Sequence, residues 1–253
     1  MNSTLGRNYG WIPDLPDQRD YKFAHVSGTQ QLPSKVDLHG TCPPVYDQGA
    51  LGSCTANALA AAVDYERKHQ KLPFLSPSRL FVYYNERVIE GTVAQDSGAT
   101  LRDGMKAIAA QGVCPEKMWP YQVDRFAAKP AANCYTAAAL HKTLQYGSLS
   151  QDVVSLKSCL AAGFPFVFGF TVYESFESDS VAKTGKVPMP GKTESVLGGH
   201  ATLAVGYSDA SQRFLVRNSW GPAWGINGYF TIPYEYLTNL DLTDDLWTIR
   251  LVE

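Results

Sequence analysis

Helix-like and strand-like patterns divide the chain into a front and a back half. In the front half, segments rich in Ala, Leu and charged residues favour helix and follow capping residues. In LRDGMKAIAAQ the apolar side chains also share one helical face. The predicted helices are CTANALAAAVDYERKHQK from Cys54, SRLFVYYNERVIE after an N-cap at Ser76, LRDGMKAIAAQ after Thr100, and QDVVSLKSCLAA after Ser150.

From Pro165 onward, short runs of β-branched and aromatic residues replace the helical pattern. These runs are FPFVFGFTVY, HATLAVGY, RFLVRNSW, GYFTIPY and LWTIRLV, and turns of Gly, Asp and Ser separate them. Such runs indicate strands, and their short connections favour antiparallel pairing. A helical front half followed by a sheet or barrel predicts the α+β class.

Length and charge narrow the possible functions. The 253 residues are 45% hydrophobic and 18% charged, enough for one large domain or two packed lobes and unlike a disordered chain. With 22 basic and 24 acidic residues and no basic run, no nucleic-acid partner is expected. The longest nearly apolar stretch, Leu160 to Tyr173, is shorter than the roughly 20 residues of a bilayer helix, so no membrane partner is expected.

The cysteines and the N-terminus leave the compartment open. The count of 5 is odd, so at least one thiol has no partner within the chain, and the other four are either paired or reduced. No Cys-x-x-Cys or His-x-x-x-His pair points to zinc, so neither a metal nor another cofactor is expected. No apolar run of signal-peptide type is present. Secretion after removal of a signal is our working expectation, ahead of the cytoplasm.

Cys54 is the first candidate for chemistry, in the segment DQGALGSCTANALAAA. It directly follows Gly-Ser at a predicted helix start, where unpaired amides and the helix dipole stabilise a thiolate. A thiolate is the nucleophile that acyl transfer requires. The structural alternative is a small cysteine that only packs.

His200 and Asn218 are the matching candidates on the strand-rich side. His200 begins a predicted apolar strand after Gly198-Gly199, so its ring would project into a cleft with room for a substrate backbone. Asn218 ends a strand in RNSWGPAWGINGYF, where the following indoles would cover a polar pair. A satisfied core histidine and an ordinary aromatic turn are the structural alternatives.

Together these segments resemble the papain-like cysteine peptidases, from about Leu32 to the C-terminus. The family motif Gln-Gly-x-Cys-Gly-Ser-Cys-[Trp/Tyr] is QGALGSCT in this chain, and its last cysteine is Cys54. His200 follows at the spacing typical of the family, and NSWG from Asn218 matches a third family signature. The segment DSG at 96–98 stands where the family often has a Gly-Gly cleft wall.

The chain also departs from the plant and animal members of that family. Leu51 stands where those members have a disulfide-bonded cysteine, and Thr55 and Asn57 replace the bulky aromatics expected after the nucleophile. No long helical propeptide precedes the resemblance. The chain is therefore similar to a bacterial-type branch of the family.

The resemblance implies a papain-like two-lobe α+β fold over residues 32–253. A helical lobe would lie mainly in 45–145 and an antiparallel β-sheet or barrel lobe mainly in 146–253. The active site would lie in the cleft between the two lobes.

The resemblance also implies hydrolysis of peptide bonds through a Cys54 thioester. His200 would form an ion pair with the thiolate and act as general acid and base, while Asn218 would orient the imidazole. Gln48 and the Cys54 amide would form the oxyanion hole. No cofactor is implied. The expected partners are a peptide or protein substrate and a proteinaceous inhibitor, and the expected oligomeric state is a monomer.

Substrate contacts are expected around these residues. Ser97 and Gly98 would line the cleft, where a glycine admits the substrate backbone as an added strand. Gly199 would contribute to a small-residue wall of the pocket beside the nucleophile. Trp220 would shield the contact between His200 and its amide partner from water.

Two other functions use the same residues. A catalytically inactive papain-fold binding protein is disfavoured, because such proteins usually lack the nucleophile. A deamidase or transpeptidase would use the same Cys-His-Asn site, since the triad does not dictate whether water or an amine resolves the thioester.

The first residues, Met1 to Gln31, contain Pro-flanked and charged turns and no helical period, which predicts an extended strap. We expect a strap packed permanently across the lobes and away from the cleft. The alternative is a short inhibitory pro-segment that crosses the cleft. The apolar side chains that require burial are Trp11, Ile12, Leu15, Tyr21 and Phe23.

Overall fold

A computed structural model describes residues 8–15, 17, 20–22 and 31–253. The helices are Cys54–His69 (α1), Arg79–Glu90 (α2), Leu101–Ala110 (α3), Ala132–Ala138 (α4), Val153–Ala161 (α5), Asp179–Thr184 (α6) and Tyr234–Thr238 (α7). The strands are Lys35–Asp37 (β1), Thr143–Ser148 (β2), Phe166–Tyr173 (β3), Val196–Ser208 (β4), Arg213–Arg217 (β5), Tyr229–Pro233 (β6) and Thr243–Val252 (β7).

The strands form a 7-stranded sheet in the order β2-β7-β3-β4-β5-β6, with β1 paired to β4. Every pairing between these described strands is antiparallel, which confirms the predicted α+β class. Because side chains alternate along a strand, β3 and β4 face two cores. Val167 and Leu203 pack with α1, α2 and α3, whereas Phe166 and Phe168 pack in an aromatic core with α5 and α7.

Helix α1 runs through the first core, and its residues from Cys54 to Arg67 are all buried. Its many alanines keep the helix thin, so it packs closely against β4. This packing fixes the start of α1 against the middle of the sheet. The first residue of the helix is therefore held at the boundary between the helices and β4.

The predicted helix starts are correct in some places and displaced in others. Cys54 begins α1, and Thr100 caps α3 by accepting a hydrogen bond from Asp103 N at 3.2 Å. The cap of α2 is Ser78 instead of Ser76, and the cap of α5 is Asp152 instead of Ser150.

The strand of His200 also begins earlier than predicted. β4 starts at Val196 and includes Gly198 and Gly199, because both pair with β3. The glycine pair expected to precede this strand is therefore part of it.

All the cysteines are free thiols, and four of them, Cys54 included, are buried. Within the described residues, no helix is long and apolar enough to cross a membrane. The same residues contain no cluster of His, Cys, Asp or Glu arranged to hold a metal ion.

Candidate active site

The thiol of Cys54 lies at the start of α1 and is completely buried. Burial raises its pKa to about 11, although backbone groups of Ala201 and Gly10 hydrogen-bond the sulfur and oppose that rise. In this covered conformation burial favours the neutral thiol over the thiolate, because the loss of hydration outweighs the hydrogen bonds. Since Ala201 follows His200 in β4, the thiol lies beside the predicted base.

His200 and Asn218 form a buried pair, with His200 Nε2 2.8 Å from Asn218 Oδ1. Asn218 Oδ1 also accepts a hydrogen bond from Ser219 N at 2.9 Å, which identifies it as the amide oxygen. The ring nitrogen that faces it therefore carries a hydrogen. Trp220 stacks on the imidazole with a centroid distance of 4.9 Å and covers the pair.

Gln48 connects the loop before Cys54 to the loop of Asn218. Its Oε1 accepts a hydrogen bond from Ser219 Oγ at 2.6 Å, and its Nε2 donates to Leu51 O at 2.9 Å. Its backbone N also donates to Ser219 O at 2.9 Å. These bonds orient the amide so that its N–H groups face the nucleophile loop, and a second Nε2 hydrogen remains beyond the one bound to Leu51.

The segment 96–98 forms one wall of the cleft. Asp96 accepts a hydrogen bond from Gly52 N at 3.1 Å and another from Tyr83 Oη, so it ties the wall to the nucleophile loop. Gly98 has a φ of 73°, which favours glycine, and its Cα faces the backbone of Gly10. Ser97 instead donates to Thr92 Oγ1 at 2.9 Å, so its hydroxyl belongs to the wall's own structure.

Residues 8–12 of the strap run through the cleft, directly over Cys54. Ala99 N donates to Gly10 O at 2.8 Å, and Ile12 N donates to Ala99 O at 3.1 Å. On the opposite side, Trp11 N donates to Gly199 O at 3.0 Å. The expectation of a strap away from the cleft is wrong, because backbone pairing to both walls holds this segment across it.

Glycine is required at the centre of this crossing. A Cβ at Gly10 would overlap the carbonyl of Gly52, and one at Gly98 would overlap the carbonyl of Gly10. Tyr9 continues over the other side of the site, with its ring centroid 6.1 Å from that of His200. The strap therefore covers the cleft on both sides of Cys54.

Among the strap side chains predicted to require burial, Trp11 is buried, whereas Ile12, Leu15 and Tyr21 are exposed, so the prediction is wrong for these three. Phe23 lies outside the described residues.

The indole of Trp11 fills a slot beside Cys54. The sequence predicted only one of the residues that line this slot, Gly199. Its indole lies over Gly169 of β3 and Gly199 of β4, where a Cβ would overlap the ring. Its Nε1 donates to Asp245 Oδ2 at 2.9 Å. Gly169 interrupts an aromatic strand and is a readable signal of close approach. Asp245 carries no such signal, because a register irregularity in β7 sets its position.

Comparisons with known proteins agree with this geometry. The model of the papain family of cysteine proteases matches residues 32–245. Xylellain, a cysteine protease from Xylella fastidiosa, has a solved structure that superposes with a TM-score of 0.91 at 48% identity, over 98% of this chain and 97% of that one.

Two relatives found by sequence carry names from the same class of peptidases. An uncharacterized peptidase C1-like protein from Acanthamoeba polyphaga mimivirus is 40% identical over 99% of this chain and 89% of the relative. A cathepsin B-like protein from Giardia intestinalis is 31% identical over 82% of this chain and 71% of the relative.

Proposed function

Because this chain belongs to the papain family of cysteine proteases, we propose that it hydrolyses peptide bonds through a thioester on Cys54. The hydrogen bond between His200 and Asn218, beside a thiol at a helix start, is the observation that carries this proposal. The three residues Cys54, His200 and Asn218 would supply a nucleophile, a base and the group that orients the base. The relatives' names favour a peptidase over an inactive binding protein.

A single nitrogen of the His200 imidazole carries the proton in each step. Since His200 Nε2 faces Asn218, Nδ1 is the nitrogen that takes the proton of Cys54. The sulfur then attacks the substrate carbonyl carbon, and Nδ1 passes the proton to the leaving amine as the C–N bond breaks. A water molecule then attacks the thioester carbonyl carbon as Nδ1 takes one of its protons. The C–S bond breaks, Nδ1 returns that proton to the sulfur, and the carboxylic acid product releases its own proton to solvent.

Gln48 is proposed to stabilise the oxyanion, together with the backbone N–H of Cys54. The bond from Ser219 fixes the Gln48 amide, so its free N–H needs no reorientation when charge develops on the carbonyl oxygen. A pre-oriented donor of this kind contributes about 3–4 kcal/mol in comparable sites.

The strap is proposed to keep the enzyme latent. A substrate has no access to Cys54 while residues 8–12 pair with Ala99 and Gly199, since the thiol is completely buried. Gly10→Ala is expected to eject the strap, because the new methyl group overlaps the Gly52 carbonyl. Gly40→Ala is the matched control, since a Cβ at Gly40 meets nothing within 4 Å.

A digest in heavy-oxygen water tests the function. We expect full-length Gly10→Ala to cleave casein peptides and to place heavy oxygen at the new carboxyl termini. Adding Cys54→Ala should reduce cleavage at least about a hundredfold, because the nucleophile is lost. Gly40→Ala should be no more active than the unaltered chain.

The digest also separates the other two functions. Mass spectra showing converted side-chain amides, or ligated peptides without heavy oxygen, would replace hydrolysis with deamidation or transpeptidation. A Gly10→Ala protein with an accessible Cys54 and no product of any kind would contradict a catalytic function.

A further inference from the structure

The two oxyanion donors proposed above lie at opposite ends of one loop, residues 47–54. One is the side-chain amide of Gln48, and the other is the backbone N–H of Cys54. No disulfide fastens this loop, because every cysteine of the chain is a free thiol. The position of the donors therefore depends on side chains that contact the loop from α1, from α2 and from the segment between α3 and α4.

Arg79, the first residue of α2, is linked to both ends of the loop through a single nitrogen. Its Nη1 donates to Asp47 O at 3.1 Å and to Asn57 Oδ1 at 3.3 Å. Asn57 Nδ2 in turn donates to Ser53 O at 2.9 Å. Because Ser53 O and the N–H of Cys54 belong to one planar peptide group, the Asn57 amide fixes the direction of that N–H.

The backbone of Gln48 is fixed on both sides. Asp47 O, which Arg79 binds, shares a peptide group with Gln48 N, and Gln48 N donates to Ser219 O at 2.9 Å. On the other side, Tyr121 Oη donates to Gln48 O at 2.9 Å. The base of the Gln48 side chain is therefore held through the two peptide groups that flank its Cα.

The guanidinium of Arg79 is itself held in one place. It lies over the rings of Tyr46 and Tyr121, with Cζ 4.7 Å and 4.1 Å from their centroids. Glu116 pairs with Nη2 at 3.3 Å, and the arginine side chain is only 14% exposed. A flat, forked cation suits such a site, whereas the ammonium group of a lysine has neither the plane nor the fork.

We propose that Arg79 is a positioning residue that aligns both oxyanion donors of this enzyme. The inference rests on the function proposed above. Arg79 acts through Asp47 and Asn57, and Asn57 stands where the plant and animal members have a bulky aromatic residue. Without Arg79 the two N–H groups must reorient when charge develops on the carbonyl oxygen, so the chemical step slows more than substrate binding weakens.

Two variants of the full-length Gly10→Ala protein test this role, Arg79→Lys and Tyr121→Phe. The second removes only the hydroxyl that binds Gln48 O, so it tests the loop even if the first is unstable. The substrate is one peptide cleaved in the casein digest. In both variants kcat should fall at least about tenfold, while KM changes by less than about twofold.

Arg125→Lys is the matched control. Its guanidinium also stacks on an aromatic ring, 4.0 Å from the centroid of Trp119, but it bonds to Gln122 in its own segment. We expect Arg125→Lys to keep the kcat of the Gly10→Ala parent. A loss equal to that of Arg79→Lys would mean that any stacked arginine in the helical region has this effect, and would overturn the inference.

Two further measurements distinguish positioning from a general loss of structure. Gln48→Ala should lower kcat at least about threefold less in Arg79→Lys than in the parent, because its donor is already misplaced. Iodoacetamide should label Cys54 at the same rate in both proteins, since alkylation needs the thiolate and no oxyanion donor.

The outcomes separate this inference from the function. An unchanged kcat in Arg79→Lys or Tyr121→Phe, independent effects of Arg79 and Gln48, or labelling that falls as far as kcat overturns the inference and leaves the peptidase intact. Absence of any cleavage by Gly10→Ala overturns the proposed function.

Discussion

At the scale of single residues, the reactivity of Cys54 depends on what covers it. The helix start and the hydrogen bonds from Ala201 and Gly10 favour a thiolate, but complete burial favours the neutral thiol more strongly. Gly10 is the residue that allows this cover, since any side chain there overlaps the Gly52 carbonyl. Gly10 therefore permits the close cover under which burial favours the neutral thiol.

Labelling of Cys54 should follow the position of the strap. In the unaltered chain the thiol has a pKa of about 11, so iodoacetamide should react slowly at pH 7.5 and faster as the pH rises. Gly10→Ala should increase the rate at pH 7.5 at least about tenfold, because hydration and the helix end then favour the thiolate. Rates are measured on the Cys54 peptide by mass spectrometry.

Gly40→Ala serves as the control for this measurement. Equal rates in Gly10→Ala and Gly40→Ala would show that the strap does not govern the thiol.

The sequence predicted the main residues of the site but not every residue around them. Cys54, His200 and Asn218 were found from local signals, a helix start, a glycine pair and a strand end, and the structure brings them together. Asp245 was missed because its position depends on a shift in pairing between β3 and β7. A pairing shift is a long-range property that no short segment records.

At the scale of elements, the helix starts show how tertiary pairing overrides a local signal. Ser76-Pro77 has the sequence of a cap and a first turn, yet α2 begins after Ser78. Ser76 O accepts a hydrogen bond from Glu116 N at 2.7 Å, and Pro77 forms a bridge with Pro115. That pairing keeps the segment extended and delays the helix. By contrast, α3 begins where the sequence predicts, directly after its cap at Thr100.

The corrected cap gives a stability prediction. Ser78 is buried, and its Oγ accepts from Phe81 N at 3.1 Å and donates to Trp119 O at 2.6 Å. Ser78→Ala removes the cap and leaves a buried carbonyl without its donor, so we expect a loss of about 2–3 kcal/mol in the free energy of unfolding. Ser76→Ala is the control and should lose under about 1 kcal/mol. Urea unfolding followed by circular dichroism measures both losses. Equal losses would mean that the Ser78 hydrogen bonds contribute no more to stability than the side chain of Ser76 does.

At the scale of the whole molecule, the strap joins the helices to the sheet over the active site. It pairs with Ala99, just before α3, and with Gly199 of β4. Farther along, Arg102 of α3 donates to Leu15 O at 2.8 Å and pairs with Asp20. The sequence predicted an extended strap from its turns and prolines, but its course depends on backbone groups far away in the chain. Local composition therefore predicted that the strap is extended, but it did not predict that the strap crosses the cleft.

Acid should hold the strap in place, and alkali should loosen it. Burial raises the pKa of Asp245 to about 7 and also raises that of Asp14, despite the nearby Arg102. Both carboxyls lose this burial when the strap leaves, so the covered state binds more protons. The stabilisation is complete below the ordinary aspartate pKa of about 4 and is lost as the pH rises through about 7.

Hydrogen exchange measures this effect, because protection factors correct for the intrinsic pH dependence of exchange. The hydrogen-bonded amides of Trp11 and Ile12 report strap opening. We expect their protection to fall at least about tenfold between pH 5 and pH 8, while amides in the centre of α1 change little. Asp245→Asn should flatten most of this dependence, because Asp244 is exposed and Asp14 retains its pairing with Arg102. Protection that instead rises with pH would mean that the ion pairs of Arg102 outweigh the buried carboxyls.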